Sequence, residues 1–210
     1  MGLGSWINRK RHNRGFGIQS PSAFFFITQV LKERRTYYAY PQLNKATKGN
    51  RRHAREIFRI TNYLQPTNCI SVGAADAACA MQLAKPSAKH YAFLNRAELN
   101  FEADKLLNTN SCHIIDSVEQ FSIVIKELGA IGMLYIDAND CTMPLVQATL
   151  PHTDAKSVII IAGIHRNKKT REWWQQIVND TATVITYDMY SYGLLFFDKE
   201  RRKQHYTLKR

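Results

Sequence analysis

Short apolar runs alternate with amphipathic stretches along most of the chain, and that alternation sets the expected elements. Ser20-Pro21 reads as an N-cap followed by proline at the first helical position. It predicts a helix over about 21–34, with Phe24, Phe25, Ile27, Val30 and Leu31 apolar. Tyr37, Tyr38 and Tyr40 follow as a packing anchor, closed by Pro41. Asn50 caps a second helix, about 51–64. Its Ala54, Ile57, Phe58, Thr61 and Leu64 share one face, and Arg51, Arg52, Arg55 and Arg59 occupy much of the rest.

After Pro66 the pattern changes. Strands are expected at 69–72, 90–94, 112–115, 133–136, 157–161, 182–187 and 194–197. Helices are expected at 74–84, 96–108 and 168–179, and Ser117 with Gln120 makes a capping box for one more, ended by Gly129. The run 157–161 is almost wholly apolar, as a central parallel strand should be. The last two strands lie close enough in sequence to pair antiparallel. This order predicts an α/β fold: a Rossmann-like, seven-stranded, mostly parallel sheet with helices on both faces. Residues 1–65 form a basic arm with helices, and 66–210 form the α/β domain. Such sheets bind ligands at the carboxyl ends of their strands. That rule singles out 73–77, 95–96, 137–140 and 162–165.

Composition removes several classes. With 210 residues, 45% of them apolar, the chain is long enough for a substantial core and is neither collagen-like nor low-complexity. No run approaches 18 consecutive apolar residues, so no membrane span is expected. The first ten residues lack the apolar core of a signal peptide, and Trp6 breaks the myristoylation pattern. Cys69, Cys79, Cys112 and Cys141 form no C-x-x-C pair and fit reduced thiols in a cytoplasmic protein. The seven histidines show no zinc-ligand spacing.

Charge is uneven. Residues 1–60 hold 13 Lys/Arg and 2 acids, 61–164 hold 6 and 10, and 165–210 hold 10 and 5, within a net charge of +12. A basic arm is first a solvated face and second a contact for phosphates of nucleic acid or a membrane surface. The residues that would meet an anionic partner are Arg9, Lys10, Arg11, Arg14, Arg51 and Arg52. No nucleic-acid motif accompanies them.

Several segments carry a resemblance: Arg14-Gly-Phe-Gly-Ile-Gln-Ser-Pro21, Tyr37-Tyr-Ala-Tyr40, Tyr135-Ile-Asp-Ala-Asn139, Ile164-His165, Gly193-Leu-Leu-Phe-Phe197 and Gln204-His-Tyr206. In these the chain resembles the class I S-adenosylmethionine (SAM)-dependent methyltransferases, in particular small bacterial O-methyltransferases with a basic N-terminal arm. The resemblance implies methyl transfer from SAM to an oxygen, in some members metal-assisted. It places cofactor contacts at Ser71, Gly73, Ala75, Ala77, Asn95 and Asp137, and catalytic groups at Asp137, Asp140 and His165.

Those positions depart from the family pattern. Ser71 replaces the acid that ends the first strand, and Ala77 replaces a glycine whose lack of Cβ permits positive φ and close approach of ligand. Asn95 replaces the acid that accepts from the ribose hydroxyls, and it equally suits a helix N-cap. Glu98, a turn later, is expected to point elsewhere. An acidic pair after the fifth strand has become Ala162-Gly163, so the carboxylates a hard cation requires are lacking and no metal is expected. Asp140 and Gln19 each stand where the family has histidine. The expectation is therefore a methyltransferase-like protein with weakened or lost SAM binding, acting on a small-molecule or macromolecular acceptor. The alternative is an inactive binding module that uses its basic arm for a protein or nucleic-acid partner. The N-terminal helices and tyrosines would cover either this chain's own sheet or a second copy in a homodimer.

Overall fold

A computed structural model describes residues 18, 20–115 and 117–208. The arm residues Arg9, Lys10, Arg11, Arg14 and Gln19 lie outside them. Eight strands form one sheet: β1 Asn68–Val72, β2 Lys89–Phe93, β3 Cys112–Ile115, β4 Met133–Asp137, β5 Val158–Ala162, β6 Ile185–Asp188, β7 Tyr192–Phe196 and β8 Gln204–Thr207. Their order is β3-β2-β1-β4-β5-β7-β6-β8. The first five are parallel, and β7 runs antiparallel to both β5 and β6.

The seven expected strands are all present, with the expected antiparallel pair. The eighth is an addition: β8 pairs in parallel with β6, Ile185 opposite Gln204. Its QHYT sequence is too short and polar to announce a strand, and only pairing reveals it.

Each side of the sheet has its own core because side chains alternate along a strand. Cys69, Met133, Tyr135, Val158 and Ile160 face one way, into a core shared with Ile27, Leu43, Ile57 and Met81. Ile70, Leu134, Ile136, Ile159 and Ile161 face the other way, against Phe121, Val146 and Trp174. The first layer comprises α1 Pro21–Phe25, α2 Tyr40–Ala46, α3 Arg51–Leu64, α4 Ala75–Ala84 and α5 Phe101–Leu107. The second comprises α6 Phe121–Leu128, α7 Met143–Thr149 and α8 Lys168–Asn179.

Most predicted helix starts are confirmed by their caps. Ser20 accepts from the Ala23 N–H, Asn50 from His53, and Asn167 closes a capping box with Thr170. Three predicted helices change shape. The first ends at Leu31, not Arg34, and its Phe26–Leu31 half is a π-helix. The second, 96–108, splits: Leu99 is extended, and Asn100 starts a new helix by accepting from Ala103. At the third, Ser117 accepts from Glu119, opening a 3₁₀ turn, so the capping box is not formed. Two further helices, α2 and α7, were not expected. Both carry a proline at the second position of the first turn, Pro41 and Pro144, where the missing N–H costs nothing. Among the described residues no helix is long and apolar enough to cross a membrane.

Candidate active site

The carboxyl ends of β1, β2, β4 and β5 lie level. Val72 pairs with Phe93 and with Ile136, and Asp137 pairs with Ala162. Two cavities open above these ends and share Asn50, His53, Tyr135 and Asp137.

The first is a cleft of about 360 Å³ over β1 and β4. Gly73 to Ala77, Leu99 and Ala103 make its less polar side, and Lys48, Glu98 and Asn100 its polar side. Gly73 turns the chain at φ +65, a conformation glycine adopts without penalty, and its free space admits a ligand. Asp76, in the first turn of α4, accepts from the Lys48 and Gly49 amides at 3.0 and 2.9 Å. It thereby ties the loop before α3 onto the start of α4. Lys48 crosses the cleft and donates its ammonium to the Glu98 carbonyl.

The second cavity, about 390 Å³, lies over β4 and β5. His165 Nε2 is 2.7 Å from Oδ2 of Asp188, which is 2% exposed. The other Asp188 oxygen accepts from the Tyr190 amide at 2.8 Å. Tyr190 has φ +69, rare for a residue with a Cβ, and its ring stacks on His165 at 5.3 Å. A buried carboxylate thus fixes both the imidazole and the ring that covers it. The pairing assigns the Nε2–H tautomer to a neutral His165 and leaves Nδ1 as the basic nitrogen. On the opposite wall His53 Nε2 is 2.8 Å from the Tyr135 hydroxyl, with the His53 ring 4.9 Å from that of Tyr192.

Arg166 lines the second cavity and holds Asp137, which both cavities share. Its guanidinium donates to both Asp137 oxygens at 2.6 and 2.9 Å and to the Ala138 carbonyl at 2.9 Å. It lies across Gly163, whose φ is +75 and where a Cβ would come within 2.8 Å of Nη2.

The expected site residues divide. Gly73, Ala75, Ala77 and Asp137 line the cleft, and His165 lines the second cavity. Ser71 is buried, 1% exposed, and lines neither. Asn95 also lines neither, and instead accepts from the Ala97 amide as an N-cap. Glu98, expected to point away, lines the cleft. Asp140 is exposed, outside both cavities, and paired with Lys169 at 2.8 Å. Ala77 sits in the first turn of α4 and is not among the positive-φ residues, so only close approach remains as a reason for glycine there. Sequence reasoning missed Asp188, Arg166 and His53. Asp188 was detectable as an acid ending an apolar strand, the pattern that picked out Asp137. His53 and Arg166 carry no such signal.

The donors fit the two implied groups differently. For SAM, the open turn at Gly73, the Glu98 carboxyl for hydroxyls and the Leu99–Ala103 wall for a flat base are all present. For a divalent cation the donors do not fit: Arg166 occupies both Asp137 oxygens, and Ala162 and Gly163 supply no carboxylate. Among the described residues no group of three His, Cys, Asp or Glu is placed to hold a metal ion.

This sheet order, with its reversed β7, is the class I SAM-dependent methyltransferase fold. Solved structures agree over most of the chain. One is the SAH-bound Podospora anserina methyltransferase PaMTH1, with TM-score 0.61 and 10% identity, covering 87% of this chain and 97% of that one. Another is the O-methyltransferase TomG from Streptomyces achromogenes, involved in tomaymycin synthesis, in complex with SAM. Its TM-score is 0.59 and identity 9%, covering 82% of this chain and 94% of that one. No protein-family model and no curated protein sequence matches the chain.

Proposed function

We propose that this protein is a cytoplasmic SAM-dependent methyltransferase that acts on a hydroxyl group of a small acceptor without a metal ion. The observation that carries this reading is the pair of cavities meeting at Asp137, with a buried Asp188–His165 dyad in the second. SAM supplies an electrophilic methyl group; the acceptor oxygen takes it as the carbon–sulfur bond breaks, leaving S-adenosylhomocysteine (SAH). His165 Nδ1 takes the acceptor's proton, and Asp188 holds the imidazole and stabilises its charged form. The remaining catalysis is positioning, which in-line displacement rewards strongly. Arg166 supplies a fixed positive charge at the end of β4.

Cofactor binding is weak in this reading. Asn95 is spent as a cap, Ala77 brings a methyl group to the turn, and Asp76 is tied to the loop amides. Calorimetry with SAH is the test. Binding in the micromolar to submillimolar range is expected, with no requirement for divalent cation. A labelled-methyl assay with phenolic and catecholic acceptors should then show turnover that falls about 10²–10⁴-fold in His165→Ala, with SAH affinity unchanged. Absence of SAH binding at millimolar ligand would overturn the proposal in favour of an inactive binding module. That second reading draws on the Arg166 clamp, which closes the Asp137 carboxylate.

A further inference from the structure

A third cavity, about 770 Å³, lies away from both of these, between α3 and the segment that follows the π-helix. Seven of its eleven described lining residues are Lys or Arg, against two acids. We propose that it is a binding site for a compact polyanion carrying two or more phosphate groups.

The cations are held in place by the fold. Arg59, 8% exposed, forms the floor: its guanidinium donates to the Val30 and Leu31 carbonyls and the Tyr40 hydroxyl. These bonds fix the start of the 31–35 wall. Arg55 donates twice to the Asn44 side-chain oxygen, at 3.2 and 3.1 Å, and lies 4.9 Å over the Tyr40 ring. The two acids offset only part of this charge. Glu33 accepts from the Arg34 and Arg35 amides and sits 3.9 Å from Arg35, and buried Glu56 is 3.4 Å from Arg52. The guanidinium groups of Arg34 and Arg51 have no partner among the described residues.

The placement also runs against helix electrostatics. Arg51 and Arg52 occupy the first turn of the 14-residue helix α3, which contains no acid there. The helix dipole makes that end positive, so cations there are unfavourable and anions favourable. Clustered like charge on one wall and a positive helix end on another are both relieved by a single polyanion. Guanidinium forks match phosphate oxygens in pairs, and arginine outnumbers lysine six to one among the described lining residues.

A single-stranded nucleic acid fits less well. Strand binders stack bases on open aromatic faces. The one aromatic residue among the described lining, Tyr40, is 5% exposed, covered by Arg55, and packed against Tyr37 and Phe58. The volume instead suits a small ligand.

The inference does not depend on methyl transfer, and its test is separate. The full chain is titrated calorimetrically with inorganic tripolyphosphate, with orthophosphate and a single-stranded RNA as comparators. One tripolyphosphate per chain is expected, bound more tightly than orthophosphate. Affinity should drop about tenfold or more in the Arg34→Ser/Arg51→Ser double variant. Both residues are exposed, so thermal midpoint and SAH binding should match the parent chain. Three results would overturn the proposal: no saturable binding, binding that survives the double variant, or RNA binding that tripolyphosphate does not displace.

Discussion

His165 and Arg166 are neighbours in sequence and both line the second cavity, yet they pair with different acids, His165 with Asp188 and Arg166 with Asp137. Gly163 makes room for the second pairing. Gly163→Ala should force the guanidinium off Asp137 and cost about 1–2 kcal/mol from the left-handed backbone alone, measured by urea unfolding. Two further substitutions separate the roles of the cofactor positions. Ala77→Gly should tighten SAH binding, read by calorimetry, because Ala77 lines the cleft. Asn95→Asp should leave it unchanged, because that side chain caps a turn outside the cleft. Strand-end logic made Gly73, Asp137 and His165 legible in the sequence. It left Asn95 open, since a side-chain oxygen there serves a cap or a ribose contact alike, and the structure shows the cap. It could not find His53, which reaches the site only because α3 packs across the end of β4.

At the scale of elements, periodicity identified the strands and the long helices, where many residues repeat one signal. It failed where a single residue decides. Pro41 and Pro144 mark beginnings, and a proline outside a repeating pattern reads equally well as an end. The junction of the π-helix with α2 and α3 is likewise invisible in sequence, because Arg59 makes it through long-range bonds. Arg59→Met should leave two carbonyls and a hydroxyl with fewer donors at a buried junction. A loss of about 2–4 kcal/mol is expected in urea unfolding. Asn50→Ala, which removes only a cap, should cost about 1 kcal/mol in the same measurement.

The whole molecule imposes its interior on groups that the sequence leaves undefined. Burial pushes the Cys69 and Cys79 thiols up to about 12 and Cys112 to about 11, whereas Cys141 is exposed. A thiol reagent at pH 8 should therefore modify Cys141 quickly in the native protein, and all four cysteines only after unfolding. His90 is buried, and desolvation lowers its pKa despite the hydrogen bond to the Lys85 carbonyl. Unfolded chains then bind a proton that the native state resists, so this residue destabilises the fold as pH falls below about 6.5. Chemical unfolding at pH 7.5 and 5.5 should show a smaller stability difference in His90→Gln than in the parent chain.

The Arg201 guanidinium donates to the Ser22 hydroxyl at 3.1 Å, across 179 residues of sequence. In the same neighbourhood Phe26 packs on Tyr187 and Phe196, and Tyr206 of β8 stacks on Tyr187. The first described helix is thus seated on strands that leave the ribosome long after it. During synthesis that helix must wait, with Phe26 uncovered, until β6 and β7 have emerged. Contacts of such long sequence separation slow folding and prolong the period of aggregation risk. Chains arrested before residue 185 should accordingly bind chaperones through the segment around Phe26 and release it once β6 to β8 appear.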